Sequence, residues 1–340
     1  MARNRSLKCE HGAGGPLQGA KYHIPSAKFS ALKQVTRGML YLGVDGGGSQ
    51  CRARIEDEHG AELGEGRAGP ATTRLGINEA WQSIMAASAA AAEQAGLARE
   101  DFARMHAGIG LAGFTRQGAE AALKDIAHPF ARVRFISDGL AACLGAHGGA
   151  DGAIVVAGTG SIGIGLKGGH EHRFGGYGFP ISDEGSGADI GLQVIRHALL
   201  AADQRGERSL LTEEVLDRFG HDPFQAVAWS EQATATEYAT FAPMVLRHAT
   251  EGDPIGRYIV QQAADAIGDL LEAFVRLGID RLSLVGGLSE AIAAWLRPDL
   301  RSRLKPPDGD AVAGALLVAR RGVTAGEATS VAELLEKLRV

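Results

Sequence analysis

The sequence predicts an α/β fold built from two related halves, and three observations carry that expectation. Short apolar runs alternate with helical patterns through the first half, giving three strands and then strand–helix units, the signature of a mixed sheet flanked by helices. The apolar pattern of residues 40–55 returns at 153–166, with DGGGS at 45–49 matching AGTGS at 157–161, so the chain contains an internal repeat. Glycine supplies 48 of 340 residues and clusters at the ends of apolar runs, where backbone turns sharply or approaches a ligand closely.

Residues 1–38 carry no sustained apolar period and read as a disordered extension or a start codon assigned too far upstream, rather than as an added regulatory arm. Patterning begins at Met39. Leu40, Leu42 and Val44 alternate into a glycine turn, and Cys51, Ala53 and Ile55 alternate out of it, which is strand, turn, strand. A third strand is expected at 61–66, an Ala-rich helix at 78–95, a strand at 106–111, a helix at 117–127, a strand at 133–137 and a helix from Leu140. After the repeated strand–turn–strand at 153–166, helical patterns cover 188–202, 212–219, 237–249 and 254–277. A buried strand at 282–285 then ends in Gly286-Gly287-Leu288-Ser289, and helices follow at 312–320 and 331–339. The expected organisation is an extension at 1–38, a first domain at 39–147, a second at 148–322 and a tail helix at 323–340.

Length and composition fit two soluble globular domains, with 45% apolar and 22% charged residues. Formal charge is −5 and the pI near 6.1, so nothing provides a basic footprint for nucleic acid or an anionic membrane surface. No apolar run reaches membrane-span length. Cys9, Cys51 and Cys143 are scattered and lack CxxC spacing, which argues against a disulfide framework or zinc site and for a reduced, cytoplasmic setting.

Gly158-Thr159-Gly160-Ser161-Ile162-Gly163 matches GxGxxG, yet Ile162, Ile164 and Leu166 then alternate as in a strand, whereas the dinucleotide motif opens a helix. No GxxxxGK[ST] loop is present. Two hairpin turns facing a polyphosphate fit better, with backbone amides and the hydroxyls of Ser49, Thr159 and Ser161 as donors. Only the first turn carries a carboxylate, Asp45 against Ala157, which suits one Mg²⁺ held directly or through water beside the phosphates.

Two further carboxylates stand out. Asp138 ends an apolar strand and precedes a helix, so it is either a helix cap or a general base at the carboxyl end of a strand. Asp183, in PISDEGSG at 180–187, is likewise a cap or a ligand-binding residue. Beside it, FGGYGF at 174–179 offers closely spaced backbone donors and rings that can hold a sugar.

The set DGGGS at 45–49, Ser137-Asp138, AGTGS at 157–161, GGYG at 175–178, SDEGSG at 182–187 and GGLS at 286–289 resembles the N-acetylglucosamine kinase and BadF-type ATPase family. Order and spacing hold from Met39 to about Arg320. The likeness extends to bacterial glucosamine kinases through His128-Pro129-Phe130, ACLGAH at 142–147, LKGG at 166–169 and VAWS at 227–230. The resemblance implies a duplicated actin/hexokinase-like (RNase H-like) fold with ATP in the cleft between the domains. It implies Asp45, Gly47, Gly48 and Ser49 as the first phosphate loop, Gly158, Thr159, Gly160 and Ser161 as the second, and Gly286, Gly287 and Ser289 as the adenosine loop. Asp138 becomes the base for a sugar 6-hydroxyl, with Gly176, Tyr177, Gly178, Asp183 and Glu184 at the sugar. Dimers are common among such kinases, so a homodimer is a matching expectation.

One departure concerns the loop after the third strand, where N-acetylglucosamine kinases carry a sugar-contacting Asn. This chain reads Gly69-Pro70-Ala71-Thr72-Thr73, leaving Thr72 or Thr73 as the contact and pointing towards the free amine over the acetamide. The expectation is therefore an ATP- and Mg²⁺-dependent amino-sugar kinase acting on glucosamine, with N-acetylglucosamine as the alternative substrate. Two rivals share parts of the pattern: an activator ATPase of radical dehydratases, which needs cluster-binding cysteines, and a sugar sensor, which needs a DNA-binding domain. Deleting residues 1–38 should leave activity and Tm unchanged, because the segment has no periodic apolar face to dock. A Tm loss of more than a few degrees would show that it packs on the fold.

Overall fold

A computed structural model describes residues 38–321; the expected extension and the helix at 331–339 lie outside the described residues. Strands β1 (Leu40–Gly46), β2 (Cys51–Glu56) and β3 (Glu62–Ala68) form an antiparallel meander. Strand β1 then pairs in parallel with β4 (Met105–Leu111), and β4 with β5 (Arg132–Ser137), giving the order β3-β2-β1-β4-β5. The second sheet repeats the plan. Strands β6 (Gly152–Ala157), β7 (Ser161–Lys167) and β8 (His170–Gly175) form a meander, and β9 (Leu282–Val285) pairs in parallel with β6, giving β8-β7-β6-β9. The repeat in the sequence is thus a repeat of topology, and the duplicated actin/hexokinase-like α/β class holds.

Strand β8 is absent from the sequence reading. In HEHRFG only Phe174 reaches the core, meeting Phe274 at 4.9 Å between ring centroids, so no apolar alternation marks the strand. The single helix expected at 237–249 is two, Ala235–Ala239 and Ala242–Glu251. Pro243 stands in the first turn of the second, where its missing N–H has no partner to lose, and a Thr234–Glu237 capping box starts the first. Asp222 and Pro223 begin a short helix at Pro223–Ser230 that leaves Phe224 80% exposed, so it lacks the apolar stripe that would reveal it.

Two helices set the site. Helix α3, the third of the described helices (after α1, Ile77–Gln94, and α2, Ala119–Lys124), runs Asp138–Ala146 directly out of β5. The last described helix, Ala311–Arg320, leaves the second sheet and packs on β1 and β4 of the first and on α3. The crossing requires glycine on both partners. A Cβ on Gly145 would fall 1.9 Å from the Asp310 carbonyl oxygen, and one on Gly314 would fall 1.8 Å from that of Ala141. On its other side α3 buries Leu140 and Leu144 against Ile154, Ile164 and Leu166 of the second sheet. Backbone-to-backbone contact here leaves no flexible side chain to give way. Gly314→Ala should therefore cost about 1–3 kcal/mol, the usual range for overpacking. A urea midpoint equal to wild type would contradict the packing.

Candidate active site

Both glycine turns come to the carboxyl ends of the parallel strands. In the first, the Gly47 N–H donates to the Gln50 carbonyl at 3.0 Å. The carbonyls of Gly46 and Gly47 accept from Ala112 and Ala71, at 2.8 and 2.9 Å. In the second, the Gly158 N–H donates to the Gly160 carbonyl at 3.0 Å, and the carbonyls of Gly158 and Thr159 accept from Gly187 and Ala188, at 2.8 and 3.1 Å. The amides of Gly48 and Ser49, and those of Thr159 and Gly160, donate to nothing among the described residues. Each turn thus has carbonyls held by neighbouring protein and two consecutive N–H groups open, an arrangement that binds anions. The Ser49 and Thr159 side chains lie at exposed positions, whereas Ser161 is buried and donates its hydroxyl to the Glu184 carbonyl at 2.7 Å.

Gly286, Gly287 and Ser289 follow β9, the parallel neighbour of β6, and so sit against the second turn. Gly286 has φ of 102°, and a Cβ there would lie 2.4 Å from the Ala157 carbonyl, which accepts from the Leu288 N–H at 3.0 Å. The Ser289 hydroxyl donates to the Gly286 carbonyl at 2.8 Å and closes this loop.

Asp138 is not the cap of its helix. Ser137 accepts from the Leu140 N–H at 3.0 Å, and Asp138 takes the first helical position with one carboxylate oxygen 3.0 Å from the Gly139 N–H. Burial pushes its carboxyl above the ordinary range and the charge of Asp45 adds to this; the Gly139 amide and the Arg173 guanidinium work against it. A desolvated carboxylate at a strand end suits proton abstraction.

Asp183 is not a cap either. Ser186 caps the helix Gly187–Ala202 by accepting from Asp189, while Asp183 sits at φ 69°. Its Oδ1 accepts from the Gly178 N–H at 3.1 Å, and its Oδ2 lies 2.6 Å from where a Cβ on Gly160 would be. It therefore links the GGYG turn to the second glycine turn. Burial raises its carboxyl, the Gly178 amide opposes, Glu184 adds to the rise, and Arg74 from the loop after β3 lowers it. Glu184 is exposed and accepts from the Ser182 hydroxyl at 3.4 Å.

At the loop after β3, Thr72 is buried and its hydroxyl accepts from the Arg74 N–H at 3.3 Å; Thr73 donates to the Gly113 carbonyl at 2.8 Å. Thr72 keeps a proton to donate and Thr73 keeps lone pairs. Gly176, Tyr177 and Gly178 follow the end of β8, with the Tyr177 ring 76% exposed.

Sequence reasoning missed three cations. Arg52 lies directly across the first hairpin from Asp45 and pairs with it at 2.8 Å, while its other nitrogen reaches Asp310 at 2.8 Å, 258 residues away. The hairpin register could have given the first contact, but nothing local could have given the second. Arg74 and Arg173 carry no motif. The Asp45 carboxylate holds Arg52 through Oδ2 only, so its second oxygen remains available. No cluster of three or more His, Cys, Asp or Glu stands among the described residues. That donor set fits Mg²⁺, which takes one or two carboxylates and draws its remaining ligands from water and substrate phosphates.

The family model described as the BadF/BadG/BcrA/BcrD ATPase family matches residues 42–319. The chain is 43% identical over 279 residues to the glucosamine kinase GspK of Vibrio cholerae, covering 82% of this chain and 95% of that protein. It is 29% identical over 231 residues to the N-acetylmuramic acid/N-acetylglucosamine kinase of Clostridium acetobutylicum, covering 66% and 75%. A crystal structure from Chromobacterium violaceum, described as a candidate N-acetylglucosamine kinase, superposes with a TM-score of 0.77 at 36% identity, covering 83% of this chain and 99% of that one. With its paired glycine turns, its strand-end carboxylate and a family match over most of its length, this chain belongs to the BadF/BadG/BcrA/BcrD ATPase family.

Proposed function

We propose that this protein is an ATP-dependent amino-sugar kinase that transfers the γ-phosphoryl group to the 6-hydroxyl of glucosamine, giving glucosamine 6-phosphate. The observation that carries the reading is Asp138, desolvated at the end of β5 with two turns of open amides beside it. Phosphoryl transfer asks for alignment and charge stabilisation more than covalent chemistry. The amides of Gly48, Ser49, Thr159 and Gly160, with the hydroxyls of Ser49 and Thr159, bind the phosphates. Gly286, Gly287 and Ser289 hold the adenosine. Asp45 would hold Mg²⁺, directly or through water, and the ion would supply charge neutralisation to the phosphates. Asp138 takes the proton of the sugar 6-hydroxyl as that oxygen attacks phosphorus. Closure of the halves at 39–147 and 148–322 excludes water, which would otherwise hydrolyse ATP. Use of ATP supports a cytoplasmic setting for the reaction.

The dehydratase-activator reading finds no thiol to work with among the described residues. Cys51 and Cys143 are buried, and burial pushes both thiols up to about 12.

For the sugar, the hydroxyls of Thr72 and Thr73 are each engaged once with backbone, so this loop offers an acetamide one proton from Thr72 and the lone pairs of Thr73 in place of a single Asn side chain that carries both. Asp183 and Glu184 suit an ammonium instead. N-acetylglucosamine remains the second reading because the Clostridium relative's name carries it. One hydrogen bond is worth about 0.5–1.5 kcal/mol, so glucosamine should lead in kcat/KM by about tenfold. A coupled ADP-release assay on both sugars checks this, and a preference for N-acetylglucosamine would reverse the order.

Asp138→Asn should cut turnover by about 10²-fold or more while leaving binding of both substrates within a few-fold. The same variant tests the electrostatics. A carboxyl raised in the folded state contributes stability below its unfolded pKa, and that contribution is lost as pH rises through the raised value. Asp138 is therefore carried ionised at neutral pH at a cost, and the neutral amide should raise Tm there and lose that advantage in acid. Near wild-type turnover, or a Tm lowered at neutral pH, would count against the base.

A further inference from the structure

We infer that Arg173 is a positioning residue of the reaction: it latches the Gly175–Gly176 turn by its carbonyls and sets a fixed positive charge on the face that carries Asp138. The inference rests on the reading of Asp138 as the base and goes beyond it.

The placement follows from strand register. On β7 and β8, Ile164 opposes Arg173 and Ile162 opposes Gly175, so these four residues share one face of the second sheet. Phe174 points to the other face and meets Phe274. The Ile162–Ile164 ledge joins the turn to the base. A Cβ on Gly176 would lie 2.6 Å from Ile162, and one on Gly139, next to Asp138, would lie 2.8 Å from Ile164.

The Arg173 side chain then closes on its own turn. Its Nε donates to the Gly175 carbonyl at 3.4 Å, a second nitrogen donates to the Gly176 carbonyl, and the guanidinium carbon stands 5.7 Å from the centre of the Tyr177 ring. Gly175 and Gly176 both adopt left-handed φ, 63° and 68°. With their carbonyls taken by Arg173, the amides of Gly176 and Tyr177 donate to nothing among the described residues and remain open to a sugar hydroxyl. This is the arrangement of the phosphate turns, except that a side chain holds the carbonyls instead of backbone.

The charge has a second consequence. The groups acting on Asp138 are Asp45, which disfavours its ionised form, and Arg173, which favours it. Arg52 neutralises Asp45 and is itself tied to Asp310, while Glu171 on β8 faces Arg173. Arg173 is thus the cation within reach of the base that no carboxylate ion pair among the described residues ties down.

The test uses full-length protein and two variants, Arg173→Met and Arg173→Lys, with kcat/KM followed against pH and sugar affinity measured without ATP. Arg173→Met is expected to move the acid limb to higher pH, because losing the cation lets the base protonate sooner. It should also weaken glucosamine binding by about tenfold through the released turn, with the KM for ATP within about twofold. Arg173→Lys should restore the limb but not the affinity, because a point charge cannot bridge two carbonyls. An acid limb in Arg173→Met that coincides with wild type overturns the inference, even if binding weakens. If wild-type protein phosphorylates no amino sugar, the kinase reading falls instead, and the two failures are told apart by that control.

Discussion

Everything at the site hangs on the contact between α3 and the helix at 311–320. Because Gly145 and Gly314 carry no side chain, the two backbones meet directly, and α3 fits between the first sheet and the second. Its first residue is Asp138, so the same contact that packs the helix fixes the carboxylate at the carboxyl end of β5. The N-terminal residue of the other helix's approach, Asp310, caps that helix through Ala313 and also holds Arg52, the partner of Asp45. One crossing therefore sets Asp138, the first glycine turn and the counter-ion of Asp45.

The three carboxylates are given different environments and so different work. Asp45 has its charge balanced by Arg52 and faces the first turn. Asp138 has no ion-pair partner among the described residues and is desolvated, which raises its proton affinity. Asp183 spends one oxygen on the Gly178 amide and sits by Gly160, linking the GGYG turn to the second glycine turn.

A common rule governs the turns. Where carbonyls are consumed by neighbouring segments, consecutive amides are left facing the cleft: Gly48 and Ser49, Thr159 and Gly160, Gly176 and Tyr177. These positions are exposed or half-buried, so water can satisfy the amides until an anion or a hydroxyl takes its place.

The sequence by itself determined the duplication, the glycine turns and the strand end at Asp138, because each is written in local periodicity that neighbouring residues impose. The β1 alternation of Leu40, Leu42 and Val44 is an example, since a strand with one buried face must show it. Local pattern left open which of two residues caps each helix. Ser137 and Ser186 cap, and Asp138 and Asp183 do not, because the hydroxyls reach the third N–H of each helix and free the carboxylates. Tertiary structure alone decided β8, the return of the helix at 311–320 to the first sheet, the Arg52–Asp310 pair and the engagement of the Thr72 and Thr73 hydroxyls. Each of these depends on how segments far apart in the chain come together, and no period of two or 3.6 residues records that distance.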